Sequence, residues 1–396
     1  MTQLPPPGFD PESITPPVWQ ERDWPVSSLA LDISGSCNLG CRYCAEGATQ
    51  PPRHPMSEAV LEQAWRFLLP DGKAKQEFSI RLGCGEPLLN LSLMKKMAQM
   101  VPAVSLALTT NGTLIDRETM DWLIDSGWIV KISIDGPEQI HDRWRVMRNG
   151  EKTYRHIAEV VTEMARRIPE RFSVTAVLCQ GTNPAEVFDG LENLGVRRIE
   201  MVPVVHRDPS ILPGDHELEM YKAFLKHYTD RWVAADEASV PPMLLRFENC
   251  MIRLMGYSLV RVSCSAGRGF IGVGPDGDLY PCFRFVGIDQ YRIGHLATGL
   301  DPERVKAFVD GIGRPYDRRE TCRTCWGAPV CTGPCYACAE MFGPGEGQPV
   351  PVQCAYTLAN IEAAVSLVNT LRESDPEKLL KFLPRINLDN SNFNFY

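Results

Sequence analysis

The chain has 396 residues, 44% hydrophobic and 23% charged, with a formal net charge of −8. That length suggests two or three domains with an ample core, and the acidic balance disfavours non-specific nucleic-acid binding. No apolar run approaches the roughly 20 residues that span a bilayer, and the first residues lack the charged and apolar regions of a signal peptide. A cytoplasmic chain with no membrane or nucleic-acid partner is therefore expected. Its 14 cysteines then point to metal or redox use rather than to disulfides.

Residues 1–27 carry seven prolines and read as an extended arm. From Ser28 onward, short apolar runs alternate with helical patterns. Strands are expected at Leu29–Ile33, Phe78–Leu82, Val104–Thr109, Ile129–Ile134, Val174–Leu178 and Ile199–Val204. Helices are expected near Ser57–Leu69, Leu91–Met100, Asp116–Ser126, Tyr154–Ile168 and Ala185–Leu194, with Ser57 and Asp116 as N-caps and Gly127 and Gly195 at helix ends. Six β–α repeats predict an α/β chain with a parallel sheet and helical crossovers. One six-strand repeat fits a partial (β/α)6 TIM barrel better than an eightfold one of about 250 residues. Past residue 240 the rhythm stops and cysteines accumulate. The expected layout is an arm over 1–27, a barrel over 28–240, a cysteine-rich domain over 241–357 and a terminal helix and tail over 358–396. The tail is given no role.

Directly after the first expected strand come Cys37, Cys41 and Cys44, spaced C-x3-C-x2-C with Tyr43 before the last. Three soft thiolates on one short loop suit a [4Fe–4S] cluster with one iron left open. A structural zinc site would need a fourth ligand, for which His54 is the candidate. This loop resembles the signature of the radical S-adenosylmethionine (SAM) superfamily.

The next strand ends carry Gly83-Cys84-Gly85-Glu86-Pro87, Thr109-Thr110-Asn111-Gly112-Thr113 and Ser133-Ile134-Asp135-Gly136-Pro137. Each alone is a turn rich in Gly, Asn and Asp. Together they look like the superfamily's SAM-binding set. The resemblance implies that Glu86, beside Gly85, accepts from the SAM ammonium, that Ser133 and Asp135 meet ribose hydroxyls, and that Asn111 lines the same mouth. Arg145 matches an arginine placed near the SAM carboxylate. The family's Gly-Gly-Glu-Pro is here Cys84-Gly85-Glu86-Pro87, so the Cys84 thiol reads either as a small-residue replacement or as a catalytic participant.

In the second half, Cys264 and Cys282 flank a stretch, Ile271 to Pro281, that reads as a hairpin with Pro275-Asp276-Gly277-Asp278 at its turn. Cys322, Cys325, Cys331, Cys335 and Cys354 follow. By the spacing of Cys322 and Cys325 alone a zinc ribbon fits. The whole order resembles the SPASM extension (a β-hairpin plus helices), which holds two auxiliary [4Fe–4S] clusters. The resemblance assigns Cys264, Cys282 and Cys335 to the first, and Cys322, Cys325, Cys331 and Cys354 to the second. Some relatives have a further cysteine where this chain has Phe270, so the first cluster is expected to keep an open iron or to be completed by Cys250 or Cys338. Cys179 reads as a small core residue.

The resemblance implies an oxidoreductase in which SAM, bound to the open iron, yields a 5′-deoxyadenosyl radical that takes hydrogen from a substrate. The stretch Leu279 to Gly287 resembles peptide maturases that form sulfur-to-carbon thioethers, and a cross-linked ribosomal peptide or protein is the expected product. Sulfatase-maturing relatives place an aspartate base where this chain has Phe283. An oxidase or epimerase of that kind, acting on a small molecule or peptide side chain, is the alternative enzyme reading. A zinc-stapled scaffold or iron–sulfur electron carrier is the non-enzyme reading. The implied partners are a peptide or protein substrate, a separate recognition protein, and an electron donor such as flavodoxin or ferredoxin.

Overall fold

The computed structural model describes residues 26–379 except 50–51, 70–77, 101–103, 237–238, 256–263, 314–318, 332, 334 and 346. The expected arm, apart from Val26 and Ser27, and the tail after residue 379 lie outside the described residues. In chain order the elements begin β1 (Ser28–Leu31), α1 (Ala45–Thr49), α2 (Glu58–Leu68), β2 (Phe78–Leu82), α3 (Leu91–Met100), β3 (Val104–Thr110), α4 (Arg117–Asp125) and β4 (Ile129–Ser133). Next come α5 (Glu138–Trp144), α6 (Tyr154–Arg167), β5 (Phe172–Leu178), α7 (Pro184–Asn193), β6 (Arg198–Pro203), α8 (Asp215–Ala234), β7 (Met243–Leu244) and α9 (Leu245–Leu254). The chain then continues through β8 (Phe270–Val273), β9 (Asp278–Tyr280), β10 (Gly294–His295), β11 (Gly299–Leu300), α10 (Pro302–Asp310), α11 (Glu320–Arg323), α12 (Tyr336–Phe342) and α13 (Pro351–Ser374).

All six expected strands form, and so do the five expected helices between them. Ser57 accepts from the Val60 N–H and Asp116 from the Thr119 N–H, which caps α2 and α4 as their side chains predict. Gly127 takes φ +77° after α4, a left-handed value that costs a residue without Cβ least. Within residues 28–240, three further helices were not expected: the short α1, α5 and the 20-residue α8.

The chain divides into two compact units: the described residues of Arg22–Val174 with Ser265–Arg314, and those of Thr175–Cys264 with Pro315–Tyr396. In the first unit β1, β2, β3 and β4 pair in order, all parallel. The expected hairpin forms as antiparallel β8 and β9, and β8 adds to the free edge of β1 in parallel. The register explains the faces. Leu29 lines up with Ile80 and Ile271, and Leu31 with Leu82 and Val273; all six are at most 1% exposed and form an apolar face. The other face carries Ser28, Ser79, Phe270, Arg81, Thr109 and Lys131, with Ser28 and Ser79 joined by a 2.7 Å hydroxyl pair. One face is thus committed to packing, and the other keeps its polar side chains.

In the second unit β6 pairs in parallel with β7. Its helices α8 and α13 meet through Tyr221 and Tyr356, ring centroids 4.7 Å apart, and through a hydrogen bond between Tyr221 and Asn360.

The turn from β4 into α5 and α6 is held by His141, which is fully buried. Its Nδ1 accepts the Asp135 N–H at 3.3 Å. Its Nε2 lies 3.0 Å from Thr153 Oγ1, whose hydroxyl donates to the Arg145 carbonyl. The Thr153 proton being used, Nε2 is the protonated nitrogen and the ring is neutral. Burial agrees, pulling the imidazole down to about 4. The unfolded chain, with histidine near 6.5, binds the proton first, so stability falls as pH drops from 6.5 towards 4. That loss reaches up to about 3 kcal/mol at roughly 1.4 kcal/mol per pKa unit. His141→Gln keeps an acceptor and a donor without titrating. Its stability deficit at pH 7, measured by thermal unfolding under anaerobic conditions, is expected to shrink steadily below pH 6.5. A deficit that stays constant with pH would contradict a neutral His141.

Candidate functional site

The three cysteines of the first motif lie in the loop between β1 and α1. Asp32, the residue after β1, builds the start of this loop: it accepts the Gly35 N–H at 2.9 Å and pairs with Arg53 Nε at 2.5 Å. Further along, the loop is zipped to residues 144–148 after α5. Gly40 N donates to the Val146 carbonyl, Arg42 N to Trp144, and Arg148 N to Asn38. Tyr43 is buried, donates its hydroxyl to Asp135 at 2.5 Å and has the Arg145 guanidinium 5.3 Å from its ring centroid. Arg145 Nε binds the same Asp135 oxygen at 3.1 Å. Three of the residues expected around the cofactor, Tyr43, Asp135 and Arg145, are therefore one buried cluster. Burial pushes the Tyr43 phenol well above its ordinary range; Arg145 opposes this and Asp135 adds to it.

Two backbone N–H groups and one amide point at the sulfurs. Leu39 N lies 3.5 Å from Cys37 Sγ, Gly47 N 3.3 Å from Cys44 Sγ, and Asn111 Nδ2 3.7 Å from Cys37 Sγ. Burial raises Cys37, countered by the Leu39 N–H, and pushes Cys41 up to about 12 against the pull of Arg145. These are the features of a site for thiolates whose charge a metal group neutralises. Among the described residues no three His, Cys, Asp or Glu side chains converge closely enough for a single ion. His54, the expected fourth zinc ligand, is instead exposed and bonds Asp276 at 2.7 Å.

Glu86 is fully buried at the end of β2. Its Oε1 accepts from Thr110 Oγ1 and Leu88 N, and its Oε2 from Asn111 N. Burial raises its carboxyl despite these donors. Gly85 takes φ +57°, and a Cβ there would lie 2.2 Å from the Ser36 carbonyl oxygen, so this turn can close on the cysteine loop only with glycine. Ser133, buried at the end of β4, borders the same strand ends.

Cys84 is 1% exposed. Burial pushes its thiol well above the ordinary range, Asp32 and Glu46 add to this, Arg53 opposes it, and Cys282 is a further neighbour. Glu46, which the sequence did not single out, accepts the Gly85 N–H at 2.8 Å. The charged groups acting on it are Asp32, Arg53 and Arg284. Cys282 is buried where β9 ends, and the next residue, Phe283, packs edge-on against Phe270 at 6.5 Å.

The second unit gathers Cys322, Cys325, Cys331 and Cys354. Burial pushes Cys354 up to about 12, and the other three thiols act on it in the same direction; Cys331 is pushed to about 11. Gly333 N donates to Cys331 Sγ at 3.3 Å. Of the cysteines expected around the first auxiliary cluster, Cys264 and Cys335 belong to this unit and Cys282 to the other. Cys250 donates its thiol proton to the Arg246 carbonyl at 3.4 Å, one turn back on α9. Cys338 is 2% exposed in an apolar cluster with Val205 and Val350.

Comparison with known proteins matches residues 31–199 to the radical SAM superfamily. A serine-type anaerobic sulfatase-maturating enzyme of Klebsiella aerogenes is 26% identical over 332 residues, 79% of this chain and 80% of that protein. A cysteine-type counterpart from Clostridium perfringens is 24% identical over 349 residues, covering 80% and 90%. Among solved structures, anSMEcpe with bound AdoMet superposes with a TM-score of 0.71 at 21% identity, over 88% of this chain and 100% of that one. Streptococcus suis SuiB gives 0.55 at 15% identity, over 80% and 74%. The cysteine loop after β1, its clamp on residues 144–148 and the parallel strands beside it lie in the stretch, residues 31–199, that matches the radical SAM superfamily, and the chain is similar along most of its length to the anaerobic sulfatase-maturating enzymes.

Proposed function

We propose that this chain is a SAM-dependent maturase that oxidises a cysteine or serine side chain of a peptide or protein, as its sulfatase-maturating relatives are named for doing to sulfatases. The observation that carries this reading is coverage: relatives of both the serine and the cysteine type match about four fifths of the chain, through the barrel and into the second cysteine field. A thioether cross-link is the second reading, favoured by the aromatic Phe283 beside Cys282, where the sulfatase-maturing pattern has an aspartate.

Cys37, Cys41 and Cys44 would hold a [4Fe–4S] cluster that, with SAM, would supply a 5′-deoxyadenosyl radical able to take hydrogen from carbon. Asn111 and the Leu39 and Gly47 N–H groups hold negative charge on the sulfurs. Gly85 and Glu86 face the SAM amino group, Ser133 and Asp135 its ribose, and Arg145 its carboxylate, with Tyr43 fixing the last two residues relative to each other. Cys264, Cys282 and Cys335 would hold a first auxiliary cluster and Cys322, Cys325, Cys331 and Cys354 a second, which would supply an acceptor for the electron that side-chain oxidation releases. Cys84, held as a neutral thiol, packs beside this chemistry rather than entering it. A flavodoxin- or ferredoxin-like donor reduces the first cluster, and a separate recognition protein delivers the polypeptide. Among the described residues no helix is long and apolar enough to cross a membrane, which accords with a cytoplasmic maturase.

Replacing Cys37, Cys41 and Cys44 together with Ala is expected to abolish 5′-deoxyadenosine formation, while anaerobic reconstitution still loads about eight of about twelve irons, two clusters' worth. Undiminished 5′-deoxyadenosine from the triple variant would refute the assignment. The reaction itself is read by mass spectrometry of the Cp18Cys peptide, the ligand of one anSMEcpe structure, after incubation with reduced enzyme and SAM. Exchange of the cysteine sulfur for an aldehyde oxygen is expected. Loss of two hydrogens with sulfur retained in a cross-link would favour the thioether reading instead.

A further inference from the structure

The cysteine loop and the segment it is zipped to carry an unusual set of charges. Across residues 36–44 and 142–152 the exposed charged side chains are Arg42, Arg143, Arg148 and Lys152, with Glu151 as the one exposed acid. Asp142 is half-buried and accepts the Thr153 and Tyr154 N–H groups. The chain as a whole carries −8, so four cations against one acid run against its balance. None of these four cations forms an ion pair among the described residues. Exposed cations elsewhere do: Arg166 pairs with Glu163 at 2.7 Å, Lys226 with Asp230 at 2.6 Å and Lys306 with Asp310 at 2.5 Å.

Geometry gathers the three arginines beside the thiols. Arg42 directly follows Cys41. The Arg148 N–H donates to the carbonyl of Asn38, the neighbour of Cys37. Its side-chain stem lies against Gly40, where an added Cβ would come 3.9 Å from Arg148 Cγ. The guanidinium carbons of Arg42 and Arg143 lie 5.5 and 4.8 Å from the centroid of one indole, that of Trp144. Trp144 is 2% exposed, and its ring centroid is 6.3 Å from that of Tyr43. The indole therefore holds in place two surface cations that have no carboxylate partner. A macromolecule resting on these exposed side chains comes within one residue of Cys37 and Cys41. It need not displace Glu86, Asn111 or Ser133, which are buried.

We propose that Arg42, Arg143 and Arg148 form the docking surface for an acidic one-electron carrier protein that reduces the group held by Cys37, Cys41 and Cys44. This rests on the cluster assignment proposed above and gives its electron donor a place to bind. In the step itself one electron leaves the reduced cofactor of the carrier and enters the cluster; no bond forms or breaks, and no proton passes between the two proteins. Electron-transfer encounters are small and steered by charge, and guanidiniums suit a carboxylate-rich face. A nucleic acid, the other polyanion such a patch could take, is disfavoured by the net charge of −8.

The test compares wild type with Arg42→Gln/Arg143→Gln/Arg148→Gln, in which glutamine keeps part of each stem. A control of equal charge change is Arg166→Gln/Lys226→Gln/Lys306→Gln. All three proteins are reconstituted to the same iron content, and a reduced flavodoxin is the probe. In the arginine variant the Kd for flavodoxin, from anaerobic calorimetry at low salt, is expected to rise at least tenfold and to depend less on salt. Flavodoxin-driven 5′-deoxyadenosine formation is expected to fall at least tenfold below saturation. Formation driven by dithionite, which needs no docking, is expected to stay within twofold of wild type, and the control is expected to match wild type throughout. An unchanged Kd in the arginine variant would overturn the inference, as would equal losses with both reductants. A tenfold rise in KM for the Cp18Cys peptide under dithionite would overturn it too, making the patch a substrate surface. Wild type that turns over with dithionite but neither binds flavodoxin nor takes its electrons would overturn the docking surface and leave the cluster assignment standing. Wild type that forms no 5′-deoxyadenosine with dithionite would overturn that assignment and this inference with it.

Discussion

The triple-cysteine loop after β1 depends on one buried ion pair. Asp135 is fully enclosed and Arg145 is 7% exposed, so both charges have left water at a cost that only good geometry offsets. Burial pulls the guanidinium down, but Asp135, Tyr43 and Cys41 outweigh it and hold it firmly protonated. The pair lies at two ends of the structure that needs it. Asp135 follows β4, and Arg145 lies in the segment to which the cysteine loop is zipped, with Tyr43 from the loop itself donating to the shared carboxylate. Removing one partner would leave a lone buried charge, which is far costlier than the loss of an exposed pair. The neutral ring of His141, binding the Asp135 N–H and Thr153, closes the same turn from behind.

Burial makes the charged thiolate form costly at several cysteines. Cys41, Cys331 and Cys354 are pushed to about 11 or 12 by burial, with like-charged neighbours adding to it. Any metal group these sulfurs take would have to displace their protons, which would couple the free energy of binding it to that of forming these loops. Two of the buried cysteines, Cys250 and Cys338, differ in kind. Cys250 spends its proton on its own helix, and Cys338 packs among valines.

Much of this was legible because it obeys short-range rules. Strand ends, N-caps and the triple-cysteine spacing are local patterns, and all six strands and both named caps appear where residue type and periodicity put them. What escaped depends on partners distant in sequence. The hairpin was legible, but not that β8 pairs with β1 some 240 residues earlier in the chain, because an alternating strand says which faces it has and not which edge it joins. Helix α8 was missed because its buried face is Tyr221, Phe224, Tyr228 and Trp232, whose polar tips blur an apolar period. Asp32, Arg53 and Glu46 carried no signal at all: each is an ordinary charged residue until the loops close around it.

Two departures from the family pattern are also best understood together. Phe270 stands where some relatives have a further cysteine, and Phe283 where the sulfatase-maturing pattern has an aspartate. Read along the chain these are separate losses of a ligand and a base. In space they are one contact, an edge-to-face pair 6.5 Å apart with an interplanar angle of 81°, a geometry that aromatic quadrupoles favour. Arg81 lies over the Phe270 ring and Arg284 over Phe283, at 5.8 and 5.4 Å from the centroids. A cysteine returned to position 270 would lose that ring and leave Phe283 with a gap to fill, and an aspartate at 283 would set a carboxylate against the Phe270 ring. The two positions therefore constrain each other, and reverting one alone restores neither a ligand nor a base in a suitable setting.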